Sequence, residues 1–247
     1  MRVEYAELSL KGGRETNQDR ISVAVAEEAA LMIVCDGMGG HAEGERAAEI
    51  AQRTITERFW QTPQPLLDPF GFLHLSLGAA HMGVVTLGLP LTLELRPRAT
   101  CALCLVQQGS AYWAHVGDSR VYHVRAGSVR ERTRDHSHVE LLVREGLINP
   151  GQVQNHPLRN FVESCLGGEP ILPEMAMNPR RQLLHGDLLL VCTDGFWANL
   201  DENLIASAFD AADTPLRDTI AKLSDQALLN AGPLSDNTSV AVLRFLA

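Results

Sequence analysis

Apolar and polar positions alternate along this chain with two different periods. Period-2 alternation and β-branched residues predict strands near 3–8, 20–26 and 30–35. Residues 41–60 (HAEGERAAEIAQRTITERFW) switch to a helical period that gathers Ala47, Ile50, Ala51, Ile55 and Phe59 on one face. The run TPQPLLDP (62–69) breaks that helix, and a second, very apolar helix is expected after it. Strand patterns return near 99–107, 111–116, 120–126 and 128–133. A short helix over 137–146 ends at Gly146, a favoured C-cap residue, and the polar stretch 149–160 reads as a mobile surface loop. A strand near 186–193, helices near 201–210 and 214–230 and a strand near 238–246 complete the pattern. Strands and helices do not alternate regularly, so the pattern argues for a layered α+β fold rather than a doubly wound parallel sheet. No repeat or linker interrupts it, and residues 1–247 are expected to form a single domain.

Composition changes this picture little. Of the 247 residues, 45% are hydrophobic and 21% charged, an ordinary globular balance with enough apolar mass for a sizeable core. A formal net charge of −9 disfavours nucleic acid as a partner, since a phosphate backbone calls for a basic footprint. The cysteines (Cys35, Cys101, Cys104, Cys165, Cys192) are odd in number and four lie in apolar runs. Reduced, buried thiols in a cytoplasmic protein are therefore expected. Cys101 and Cys104 form a CxxC, but strand pleating sends them to opposite faces, against a zinc site. The first 15 residues hold no apolar signal-peptide core. Residues 69–93 carry no formal charge and are long enough to cross a bilayer, yet His74, His81, four glycines and Pro90 favour a buried helix and loop.

The candidate chemistry begins at LMIVCDGMGGHAEG (31–44), where an apolar strand gives way to a helix through a glycine-rich turn. Gly37-Met38-Gly39-Gly40-His41-Ala42 matches the dinucleotide fingerprint. Against that reading, Asp36 puts a carboxylate where a pyrophosphate needs only donors, and Glu57, about 20 positions on, lies within a helix. No Lys-Ser/Thr follows the glycines, so the Walker pattern fails. The same construction recurs elsewhere. LLLVCTDG ends in Asp194-Gly195, AHVGDSR carries Asp118, PLSDNTSVAVLRF starts a strand after Asp236, and ETNQDR puts Asp19 at the start of another. One aspartate at a strand end is ordinarily a turn former. Five beside core strands point to convergence at one edge of packed sheets. Gathered carboxylates repel and raise one another's pKa unless cations neutralise them, and Mg²⁺ or Mn²⁺ suits an all-aspartate site.

In chain order stand Arg14 with Asn17-Gln18-Asp19, VCDGMGGHAEG (34–44), GDSR (117–120), DHS (135–137), HPLRN (156–160), Gly167, TDG (193–195) and DNT (236–238). This ordered set, spanning roughly residues 9–245, resembles the metal-dependent type 2C protein serine/threonine phosphatases of the compact bacterial kind. The resemblance implies a four-layer αββα sandwich of two antiparallel sheets flanked by helices. It implies that Asp36 bridges two metal ions, that the Gly37 carbonyl completes one site, and that Asp194 and Asp236 hold the other ion. Asp19 would order metal-bound waters, and Asp118 would bind a third, weaker ion. A metal-activated water would attack phosphorus, with Arg14 clamping the phosphoryl group and His41 protonating the departing Ser or Thr oxygen. The expected substrates are phosphorylated Ser/Thr proteins, a partner bacterial kinase among them, and the expected state is a monomer.

Rival phosphatase chemistries fail on spacing, since no cysteine is followed six positions later by arginine and no D-x-D pair exists. Two other classes stand beside the leading one: a regulatory module that keeps the fold without turnover, and a dinucleotide-dependent oxidoreductase. The chain departs from the family pattern at RATCAL (98–103), which keeps only Thr100 of a Gly-Thr-Thr strand, and at Gln18, where some members have an acid. Residues 135–160 fall where the family has its variable flap, implying a role in substrate access.

Overall fold

The computed structural model describes residues 1–39, 42–209 and 214–246. It begins with strands β1 (Arg2–Leu10), β2 (Asp19–Val25) and β3 (Ala29–Met38), then helices α1 (Ala42–Gln61) and α2 (Pro69–Gly88). Strands β4 (Arg98–Ala99), β5 (Cys101–Gln107), β6 (Ser110–Val116), β7 (Arg120–Arg125) and β8 (Ser128–Arg132) lead to helix α3 (His138–Arg144). Three short strands follow, β9 (Leu166–Gly167), β10 (Ala176–Met177) and β11 (Arg181–Gln182), then β12 (Leu188–Cys192). Helices α4 (Asp194–Trp197), α5 (Glu202–Ser207) and α6 (Leu216–Ala231) precede strand β13 (Thr238–Leu246).

Two antiparallel sheets result. One runs β1-β13-β12-β7-β8, and the other runs β10-β6-β5-β3 with β2 and the short β4–β9 pair attached to β3. The central strands β3, β5 and β12 are apolar at nearly every position because both their faces are covered. On β3, Leu31, Ile33 and Cys35 face the core under α1 and α2, while Ala30, Met32 and Val34 face the opposite sheet. On β12, Leu189 and Val191 meet that inter-sheet core, and Leu188, Leu190 and Cys192 pack under α4, α5 and α6. Three cores between four layers make the αββα sandwich. Cys101 and Cys104 fall in different cores, as pleating requires.

Every expected strand and long helix is present within a few residues of its predicted bounds. The additions are short: α4, strands β9 to β11, and 3₁₀ turns at Leu93–Leu95, Pro150–Asn155 and Gly232–Leu234, the second inside the stretch read as loop. Pieces of two to six residues carry too little periodicity to register as a pattern. Helix α2 departs from expectation in one respect. Asp68 caps it by accepting from the Gly71 N–H, and Phe72, Leu73, Leu77, Ala80 and Val84 are buried, but Leu75, Met82 and Leu89 stay exposed. It is buried on one face only.

Because Leu190 is fully enclosed under the α4–α6 layer, Leu190→Ala is expected to cost about 2–5 kcal/mol in denaturant unfolding. Leu184→Ala, at a half-exposed position, is expected to change stability by less than about 0.5 kcal/mol.

Candidate active site

Strand ends deliver the site. Antiparallel register places Asp19 of β2 opposite Asp36 of β3. Asp118 follows β6, Asp194 opens α4 after β12, and Asp236 lies just before β13, which pairs with β12. Asp36, Gly37, Asp118, Asp194, Asp236 and Arg14 line one cleft of about 640 Å³ at that end of the sandwich. Asp19 does not line it but lies beneath, 2% exposed, with one carboxylate oxygen accepting from the Thr193 hydroxyl at 2.9 Å. Thus all seven sequence-assigned residues within the described part of the chain come together. His41, assigned as proton donor, lies outside the described residues, as does Gly40.

Close backbone approach explains two of the glycines. A Cβ on Gly37 would overlap the Gly44 carbonyl at the start of α1, so the strand carrying Asp36 and that helix pack only through glycine. A Cβ on Gly195 would likewise strike the Asn237 carbonyl, which lets α4 begin directly over the start of β13.

Residues without assigned chemistry hold the carboxylates in place. Thr100 donates its N–H to the Asp36 carbonyl (2.9 Å), its hydroxyl receives the Asp36 N–H (3.3 Å), and the same hydroxyl is 2.7 Å from Ser119 beside Asp118. It thereby joins two of the metal-type turns. Asn237 accepts the Gln18 N–H (2.8 Å) and donates to the carbonyls of Lys11 (2.8 Å) and Thr16 (3.0 Å). That amide binds the whole Arg14 loop to the start of β13. Trp197 donates to the Asp118 carbonyl (3.0 Å) and stacks under Arg120, whose guanidinium makes a bidentate pair with Asp135 at 2.7 and 2.8 Å. Thr100 and Asn237 were visible in the motifs, but nothing in a sequence pattern separates a brace from a bystander.

The electrostatics are those of carboxylates crowded together and taken out of water. Burial, with repulsion from Asp194 and Asp236, pushes Asp19 up to about 7 against the relief of its hydroxyl donors. Burial and the neighbouring Asp236 raise Asp194 to about 6. Asp36 and Asp118 are raised well above the ordinary carboxylate value, first by burial and then by surrounding aspartates. Arg14 offsets part of this, donating to Asp236 at 2.7 Å. Asp19 and Asp194 each keep one buried oxygen with no hydrogen-bond partner. Among the described residues, no three carboxylates, imidazoles or thiols already stand arranged to grip an ion. The convergence, the partnerless oxygens and the all-oxygen donor set nonetheless fit a hard divalent cation.

A carboxyl whose folded pKa is raised burdens the fold only when ionised, so the penalty is absent below the unfolded value and full above the folded one. With divalent cations chelated, Asp194→Asn is therefore expected to stabilise the protein at alkaline pH by on the order of 1 kcal/mol. That gain should fade between about 6 and the unfolded value of 3.8. Circular-dichroism melts across pH check it; a gain independent of pH would contradict the repulsion.

No family model matches the chain. It is 30% identical to the protein phosphatase PhpP of Streptococcus pneumoniae, over 93% of this chain and 92% of that protein. It is 28% identical to the serine/threonine protein phosphatase PstP of Mycobacterium tuberculosis over 97% of this chain, and spans 44% of PstP's length. A structure of the Streptococcus agalactiae serine/threonine phosphatase superposes over 100% of both chains with a TM-score of 0.89 at 27% identity. The PstP catalytic domain in complex with two manganese ions superposes with a TM-score of 0.81 at 27% identity, over 99% of each chain. With identity of this order running nearly end to end through PhpP, and the same layered fold in each neighbour, the chain belongs to the bacterial type 2C (PPM) family of serine/threonine protein phosphatases.

Proposed function

We propose that the chain is a divalent-cation-dependent phosphatase of phosphoserine and phosphothreonine in proteins. The observation that carries this reading is the convergence of four aspartates and Arg14 on one cleft, with a fifth aspartate beneath and two buried carboxylate oxygens unsatisfied. PstP with its two manganese ions supports two core ions here, Mn²⁺ or Mg²⁺. Asp36 and the Gly37 carbonyl would hold one ion, Asp36 again with Asp194 and Asp236 the other, and Asp118 a third. Such ions supply a coordinated water of lowered pKa and offset the charge of the phosphate.

The protein's own groups do the rest. Arg14 presents a planar fork matched to two phosphoryl oxygens, and the Asn237 clamp fixes the loop from which it reaches. Asp19, held by Thr193, keeps a buried acceptor oxygen under the cleft floor, suited to orienting water. His41 is assigned the proton to the departing oxygen on the resemblance of its motif to the family's. The flap is pinched at its neck, where His138 N–H meets the Phe161 carbonyl (3.0 Å) and Glu163 N–H meets the His136 carbonyl (2.7 Å). This neck sets Asn160 and Val162 on the cleft wall, in position to touch the peptide around the phosphorylated residue. Phosphorylated proteins are the substrates in this reading, a partner kinase among them, and the five free cysteines suit the reducing cytoplasm.

Purified protein with Mn²⁺ is expected to release phosphate from a phosphothreonine peptide, and chelation to stop it. Asp36→Asn and Asp236→Asn should each lower kcat by about a hundredfold or more while the protein stays folded; near-normal turnover in either would undo the two-ion assignment. Arg14→Ala should raise KM about tenfold, the loss of one charge-assisted contact. Asp118→Asn should raise the Mn²⁺ requirement while calorimetry still counts two tighter ions, and an unchanged requirement would remove the third site.

A further inference from the structure

The outer face of α2 has no role in the cleft, yet it leaves a row of large apolar side chains in water. Leu75, Met82 and Leu89 follow one another at seven-residue intervals along a single stripe, and all three are exposed. Leu172 packs beside the stripe, its Cδ2 lying 3.9 Å from where a Cβ on Gly78 would stand, and Ile171 next to it is exposed as well. The exposed parts of these five side chains amount to roughly 500 Å² of apolar surface, near the top of what a monomer ordinarily leaves uncovered.

We propose that this face is a homodimer interface, on which two copies of the chain pack α2 antiparallel about Met82, in place of the monomer that the family resemblance implies. Charge selects the occupant. The chain carries a net charge of −9, so two copies repel over most of their surface, but residues 69–93 form its longest stretch without a formal charge. Along the helix itself like can face like without a charge penalty, and the exposed Glu169 and Glu174 beside Ile171 and Leu172 fall to the rim. Spacing suits a two-fold axis: Leu75 and Leu89 stand seven residues either side of Met82, about 10 Å each way along the helix. Rotation about Met82 sets Leu75 against the second copy's Leu89 and Met82 against itself, as an isologous interface requires. Counting both copies, the apolar part alone approaches the roughly 1,000 Å² expected of a specific interface, before any polar rim is added. A lipid surface is a poorer match, because helices that lie on membranes carry a basic polar face and α2 has no lysine or arginine.

The inner face of the same helix reaches the catalytic turn. His81 accepts the Gly167 N–H (3.1 Å) on β9, β9 pairs with β4, and β4 pairs with Gly37 and Met38. The proposed interface therefore stands one helix and two short strands behind Asp36.

Sedimentation equilibrium of the full chain tests this without reference to activity, so an inactive protein would leave the inference standing. The expected result is a dimer mass that Met82→Glu reduces to the monomer mass with an unchanged far-UV spectrum. Met82→Cys should cross-link to its own copy with a short bis-maleimide. Leu75→Cys should do so only when mixed with Leu89→Cys. A wild-type monomer throughout the micromolar range, or a dimer indifferent to Met82→Glu, overturns the proposal. So does a monomer whose binding to neutral or anionic vesicles is lost in Met82→Glu, since that would give the face to lipid.

Discussion

Mutual repulsion among buried carboxylates is the constraint around which this molecule is arranged. Asp19, Asp36, Asp118 and Asp194 are all pushed toward their neutral forms by burial and by one another, a configuration no chain adopts for stability's sake. Holding them together takes a frame stiff enough not to relax. Two apolar sheets supply it, because each aspartate lies within two residues of the end of a strand packed into these cores. The strain is thus set where the sandwich is strongest, and counter-charge from outside is what relieves it.

A layer of small hydrogen-bonding side chains lies between frame and charge. Thr100 joins the Asp36 and Asp118 turns, Thr193 reaches from β12 to Asp19, and Asn237 gathers the Arg14 loop. None bears charge, so none adds to the repulsion, yet each determines where a charge can go. The glycine contacts serve the same end by bringing α1 and α4 up against strand backbones with nothing in between.

Much of this was legible beforehand, for a definite reason. Long strands buried on both faces write themselves as apolar runs, and an aspartate that ends such a run is conspicuous, which is how Asp36 and Asp194 announced a shared place. Asp118, Asp236 and Asp19 followed by the same rule. The short strands β9 to β11 and helix α4 left no period to detect. The bracing by Thr100 and Asn237 depends on partners far away in sequence, 219 residues in the Gln18–Asn237 bond, and no local pattern encodes that. Helix α2 was misjudged in part because hydropathy reports how apolar a segment is, not how many of its faces find cover.

The position of β13 has a consequence in time. It lies between β1 and β12 in its sheet, and the residues just ahead of it supply Asp236 and the Asn237 clamp. A ribosome makes this segment after every other part of the site. Until it emerges, β1 and β12 have no common neighbour, the Arg14 loop has no anchor, and the cleft lacks a wall. Without β13 the sheet lacks the strand that joins β1 to β12 and the cleft lacks Asp236, so fold and candidate site close together in the same pairing step.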